Sequence, residues 1–212
     1  NSVNANDAEY DWTIPDVAGI VGQKARVKVY QTGKETEVFS VSENDFTIRG
    51  TITLTRPSVN AGDTPLTWLC GAQEPINWNV TGQLGTVNLF YSKDNGGDLF
   101  VNIIDNSGTI PAGVGNGTYT WTLPVNSAPF KIGDNGKNPQ IKIKVLSSSD
   151  SAINSVSAQL LTIQSNFISL VPNGGLVWRL GEQHNITWET KGDVPTVNVK
   201  YSIDGGSSGT II

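Results

Sequence analysis

The sequence repeats itself, and the phase of that repeat constrains the fold more than any motif does. The stretch from Leu66 to Gly96 returns 110 positions later, with 14 of its 31 residues identical. Leu66-Thr67-Trp68 comes back as Leu176-Val177-Trp178, and Ile76-Asn77-Trp78 as Ile186-Thr187-Trp188. Tyr10-Asp11-Trp12-Thr13-Ile14-Pro15 returns 109 positions later as Tyr119-Thr120-Trp121-Thr122-Leu123-Pro124. At an offset of 115, Ser40-Val41-Ser42 and Phe46-Thr47-Ile48 match Ser155-Val156-Ser157 and Leu161-Thr162-Ile163. Ile52 to Pro57 matches Phe167 to Pro172 at the same offset.

The two ends match different parts of the unit. Residues 1–48 read as the C-terminal half of a domain, 49–163 as a complete domain, and 164–212 as the N-terminal half of a further one. A chain that starts Asn1-Ser2-Val3 and holds no Met reads as a processed product or a window on a longer array. The terminal halves are then completed by further sequence of the same kind or by neighbouring subunits, as in strand exchange.

Within the unit the apolar period is two. Gln140-Ile141-Lys142-Ile143-Lys144-Val145 and Thr86-Val87-Asn88-Leu89-Phe90-Tyr91 alternate apolar and polar residues, the mark of half-buried strands. Strands are predicted near 51–56, 66–70, 75–80, 86–92, 98–104, 117–123, 139–147 and 154–163. Gly-, Asn- and Asp-rich clusters separate several of them. Short strands at this density predict an all-β chain of tandem Ig-like β-sandwich domains. Trp78, Trp188, Trp12 and Trp121 recur at strand positions and are read as core. The units are joined without linkers: Ile48 runs into Arg49-Gly50-Thr51 and Ile163 into Gln164-Ser165.

Composition narrows the function. With 14 Lys+Arg and a net charge of −5, the chain lacks the basic footprint that phosphate backbones require. No apolar run approaches the length of a membrane span. One Cys permits no internal disulfide, and one Cys with one His makes a poor zinc site.

The order Ile-Thr-Leu-Thr-Arg-Pro (52–57), Gly71-x-Gln73-x-x-Ile76-x-Trp78, Val-x-Leu-x-Tyr-Ser (87–92), Gly-Thr-Tyr-Thr-Trp-Thr-Leu-Pro (117–124) and Ile-Lys-Ile-Lys-Val (141–145) is similar to a known repeat. It resembles the Ig-like repeat of the fungal Ser/Thr-rich, GPI-anchored cell-wall protein family. It is also similar to the tandem Ig-like or fibronectin-III-like repeats of large prokaryotic cell-surface proteins of the S-layer type. The chain lacks a Ser/Thr-rich stalk and a GPI signal, which favours the prokaryotic setting. The resemblance implies a secreted, non-catalytic structural role at the cell surface. The implied partners are neighbouring copies in a lattice or filament, and cell-wall polysaccharide.

Residues with chemistry are few, and the repeat sorts them. Cys70 aligns with Leu180 and reads as a small buried hydrophobe. His184 aligns with Glu74 and reads as a loop-end residue rather than a catalytic base. The acidic turns Asp94-Asn95-Gly96-Gly97-Asp98, Asp134-Asn135-Gly136 and Asp204-Gly205-Gly206 suit two roles. They are ordinary hairpin chemistry, or Asp94, Asp98 and Asp204 supply oxygens to calcium. Asn79, Asn116 and Asn185 head Asn-x-Thr glycosylation acceptors. Trp68 and Trp178 lie outside the main strand alternation, which makes them the candidates for stacking on sugars in an alternative, carbohydrate-binding reading.

Overall fold

The computed structural model describes residues 3–17, 19–57, 66–92, 96–103, 110–113, 115–125 and 140–211. Apart from a 3-10 turn at Ala5–Asp7, every regular element among them is a strand. No helix among them is long and apolar enough to cross a membrane. Four short strands come first: β1 (Lys24–Ala25), β2 (Lys28–Tyr30), β3 (Phe39–Val41) and β4 (Phe46–Thr47). The central region contributes β5 (Thr51–Arg56), β6 (Thr67–Leu69), β7 (Gln73–Thr81), β8 (Thr86–Ser92), β9 (Phe100–Asn102), β10 (Ile110–Pro111) and β11 (Asn116–Thr122). It continues with β12 (Gln140–Ile141), β13 (Ile143–Ser147), β14 (Asn154–Val156) and β15 (Leu161–Gln164). The chain closes with β16 (Asn166–Val171), β17 (Thr187–Lys191), β18 (Lys200–Tyr201) and β19 (Thr210–Ile211).

The central region is a β-sandwich. One layer is antiparallel in the order β11-β7-β5. The other is built on β8, which pairs with β9, β10 and β13, and β13 continues to β14. A separate three-stranded set, β12-β15-β6, has β6 and β15 parallel, and its β12 leads into β13 of the second layer. Alternate residues of each strand point inward, as the period-two pattern requires. Ile52 and Leu54, Ile76, Trp78 and Val80, Val87 and Leu89, and Ile141, Ile143 and Val145 form one buried cluster with Trp68, Trp121, Leu123, Leu161 and Ile163.

The strand at 140–147 is interrupted at Lys142, and buried serines replace the missing ladder bonds. The Lys142 amide donates to Ser92 Oγ at 2.7 Å and the Ile143 amide to Ser157 Oγ at 3.1 Å. Satisfying these amides removes the penalty that an unpaired buried N–H carries.

Closure of the sandwich centres on Trp78. Its indole is fully buried, and Nε1 donates to the Ala112 carbonyl at 2.8 Å. Gly117 lies directly across the β7–β11 ladder from it. A Cβ at 117 would lie 2.3 Å from the indole and 2.6 Å from the Ala112 carbonyl. Only glycine lets β11 lie flat on that ring.

The flanking strands repeat the central ones in hydrogen bonding as well as in sequence. β2 pairs with β3 as Lys28↔Val41, Val29↔Ser40 and Tyr30↔Phe39, and β13 pairs with β14 as Lys144↔Val156, Val145↔Ser155 and Leu146↔Asn154. β1 and β4 match β12 and β15 in the same way. The Ser42 amide donates to Val27 O and the Ser157 amide to Ile143 O, at 2.9 and 2.8 Å. At the other end, β16–β17 keeps the register of β5–β7, including its irregularity near the end of the first strand. The described flanks therefore pair internally as opposite halves of the central sandwich.

Trp78→Ala is expected to lower stability of the central region by about 3–5 kcal/mol, and Gly117→Ala by about 1–3 kcal/mol through overpacking. Urea unfolding followed by Trp fluorescence checks both. Wild-type midpoints in both variants would contradict this account of closure.

Candidate functional site

Each flank touches one end of the central sandwich, and the two junctions are built alike. At one, the Gly82 amide donates to Asp16 Oδ1 at 2.9 Å. At the other, the Gly192 amide donates to Val125 O at 2.6 Å. Gly82 and Gly192 are repeat partners at offset 110, and Asp16 and Val125 are partners at offset 109. Both glycines have φ near +80 to +94°, open to glycine and strained for other residues. A Cβ at Gly82 would meet the Val21 side chain at 2.5 Å, and one at Gly192 would meet Ser165 Oγ at 2.4 Å. Ser165 alone separates β15 from β16.

Beyond the junctions, the flanks present apolar faces. Trp12 is 46 % exposed, Trp178 43 % and Trp188 37 %, with Leu180, Val29 and Phe39 also exposed. The expectation that Trp12 and Trp188 are core residues is corrected here. Their counterparts Trp121 and Trp78 are buried because a complementary half-sandwich covers them. The described residues of each flank supply only one half. The signal was present in the phase of the repeat, in which residues 1–48 and 164–212 match opposite halves of the unit.

The two sugar-stacking candidates part company. Trp68 is 1 % exposed, lies edge-on to Trp121 with centroids 6.3 Å apart, and cannot reach a sugar. Trp178 is accessible, but one ring face stacks on His184 at 4.4 Å. His184 Nε2 lies 3.1 Å from Glu182 Oε2, which also accepts from the Arg179 amide. These contacts fold the loop before β17 onto itself. Trp188 and Trp12, not singled out for binding in the sequence, are as accessible as Trp178.

Of the calcium candidates, Asp94 lies outside the described residues, as does the Asp134-Asn135-Gly136 turn. Asp98 is exposed in the loop before β9. Asp204 is engaged by its own hairpin: it accepts from the Ser202 hydroxyl and, at 2.9 Å, from the Ser208 amide. These bonds hold its carboxyl well below the usual carboxylate range, the Ser202 bond first and the Ser208 bonds next. No group of three or more His, Cys, Asp or Glu side chains able to hold a metal occurs among the described residues.

Cys70 is a buried free thiol, and burial pushes its pKa up, which disfavours the reactive thiolate. Asn79 and Asn116 are exposed and stand directly opposite one another on β7 and β11. Asn185 is exposed just before β17. No protein-family model matches the chain, and no curated protein matches it.

Because the Asp204 pKa is lowered by bonds made in the folded hairpin, its support is present at neutral pH and is lost only as pH falls through that lowered value. The Asp204 carboxyl carbon is expected to titrate below the ordinary carboxylate range in an NMR pH series. Titration within that range would contradict the hairpin assignment, as would a calcium-induced shift at Asp204.

Proposed function

We propose that the chain is a structural module of a large extracellular protein, built as a row of Ig-like sandwiches in a surface layer, sheath or filament. The observation that carries this reading is the repeated junction. The amides of Gly82 and Gly192, repeat partners, each donate across a junction to a residue at the matching position, Gly82 to the Asp16 carboxylate and Gly192 to the Val125 carbonyl. At the second, a single residue separates the last strand of one unit from the first of the next. Hydrogen bonds across so short a connection restrict rotation between units. A chain in which each unit follows its neighbour by one fixed operation extends as a semi-rigid row.

The chemistry of the side chains is in keeping with a mechanical role. The thiol fills a core position, and the histidine is bound up in a loop contact. Neutral polar side chains cover the strand surfaces: Thr118 Oγ1 donates to Asn77 Oδ1, and the hydroxyls of Thr51 and Thr81 share a 2.7 Å bond. Such faces suit hydrated lateral contacts between neighbouring copies and with wall polysaccharide. In an exporting cell that carries the transferase, Asn79, Asn116 and Asn185 would present glycans from exposed positions. The carbohydrate-binding alternative loses Trp68 to the core.

Residual dipolar couplings measured in dilute solution test rigidity. Couplings from strand residues of 24–47, of the described part of 51–163 and of 166–191 are expected to fit a single alignment tensor. In Gly192→Val, where a side chain would strike Ser165 and Cys70, the last segment is expected to separate from the other two. Three independent tensors in the wild-type chain would contradict the proposal.

A further inference from the structure

We infer that β11 is a docking edge for a second copy of this chain, which pairs β11 with β11 antiparallel about a two-fold axis at Tyr119. This rests on the structural-module reading and names how one row would meet another side by side.

β11 ends its layer, whose order is β11-β7-β5. Bonded and non-bonded residue pairs alternate along an antiparallel ladder. The Val80 amide donates to Gly115 O at 3.0 Å and the Leu123 amide to Ala72 O at 2.9 Å, which fixes the phase. Gly117, Tyr119 and Trp121 therefore turn their amides and carbonyls to β7. Thr118 and Thr120 turn theirs outward, and no main-chain group among the described residues meets them.

An open row of such groups is a template for another strand unless something blunts it. The other edges of the sandwich are blunted. β9, β10 and β14 have two or three residues each. β5 has a register shift between Leu54 and Arg56, a charge at Arg56, and a Leu54 amide taken by Ser155 Oγ at 3.0 Å. β11 has none of these devices. Its seven residues, Asn-Gly-Thr-Tyr-Thr-Trp-Thr, hold unbroken register with β7 and include no charge and no proline. Units joined in line do not cover it either. The flanks meet the sandwich near Gly82 and Gly71, beyond the two ends of β7, and not alongside β11.

Charge and register identify the occupant as a second copy. A two-fold contact sets residues near the axis against their own kind, so a charged edge repels its copy. On the face turned away from Trp78, every side chain of β7 and β11 is Thr, Asn, Gln or Pro. The other layer, by contrast, presents Lys144 beside Phe100. Tyr119 is the middle residue of β11, so an axis there pairs the strand with its copy over its whole length. It sets outward Thr118 against outward Thr120 of the second copy, and the reverse, for about four central main-chain hydrogen bonds. The same register places Trp121 opposite Gly117, where no side chain opposes the ring. Tyr119, half-buried at the rim of the core, is covered by its own counterpart.

Sedimentation velocity of the full chain over a wide concentration range tests the proposal. The wild-type protein is expected to associate reversibly. Thr118→Lys combined with Thr120→Lys sets lysine against lysine at both central pairs, and is expected to weaken association roughly tenfold. Thr118→Lys combined with Thr120→Glu sets lysine against glutamate at both, and is expected to associate at least as tightly as wild type. These changes fall on exposed side chains, and thermal unfolding at low concentration checks that both variants fold. A wild-type chain that stays monomeric overturns the proposal, including one that binds only a different protein. A double-lysine variant that associates like wild type overturns it, as does a lysine–glutamate variant as weak as the double lysine. Rigidity of the tandem units is read from dipolar couplings in dilute solution, so either proposal can fail without the other.

Discussion

The structure depends on one closing contact, the antiparallel pairing of β7 with β11 over the Trp78 indole. Sheet faces rich in Ile, Val, Leu and Trp are stable only when another layer covers them. In the central region that layer arrives from later in the chain, and Gly117 permits it to approach the ring. With the pairing made, Trp68, Trp121 and Leu123 are also removed from water. Without it, the same local hairpins persist in the flanks, but their tryptophans remain exposed. Local hydrogen bonding and burial are thus separable among the described residues, because matching strand pairs occur with and without a covering layer.

The junctions connect this packing to a role. Each is defined by a positive-φ glycine whose amide reaches a neighbouring unit, with little room for a side chain at that point. Restricted junctions convert a string of sandwiches into a directional object.

Much of the fold was legible in the sequence. Period-two alternation located strands at 51–56, 86–92 and 139–147, the last divided at Lys142 into β12 and β13, and the aligned copies placed Trp78 and Cys70 inward. What sequence alone did not give was environment. Trp188 has the same neighbours in sequence as Trp78 yet stands half open, because burial depends on the strand across the ladder and not on the strand itself. Trp68, set aside as lying outside the alternation, proved buried because β6 joins β15 in parallel and turns its ring inward. The acidic turns could be read two ways, and Asp204 is resolved by the serines at 202 and 208, whose bonds depend on the shape of the hairpin.

The most direct measurement of the closing principle is amide hydrogen exchange at Ser42 and Ser157. Both amides make the corresponding bond, to Val27 O and Ile143 O, in matching hairpins. They differ only in whether the other half-sandwich covers them. Exchange of Ser157 is expected only through global unfolding, while Ser42 in this chain exchanges far faster through local opening. Equal protection of the two amides would contradict the account.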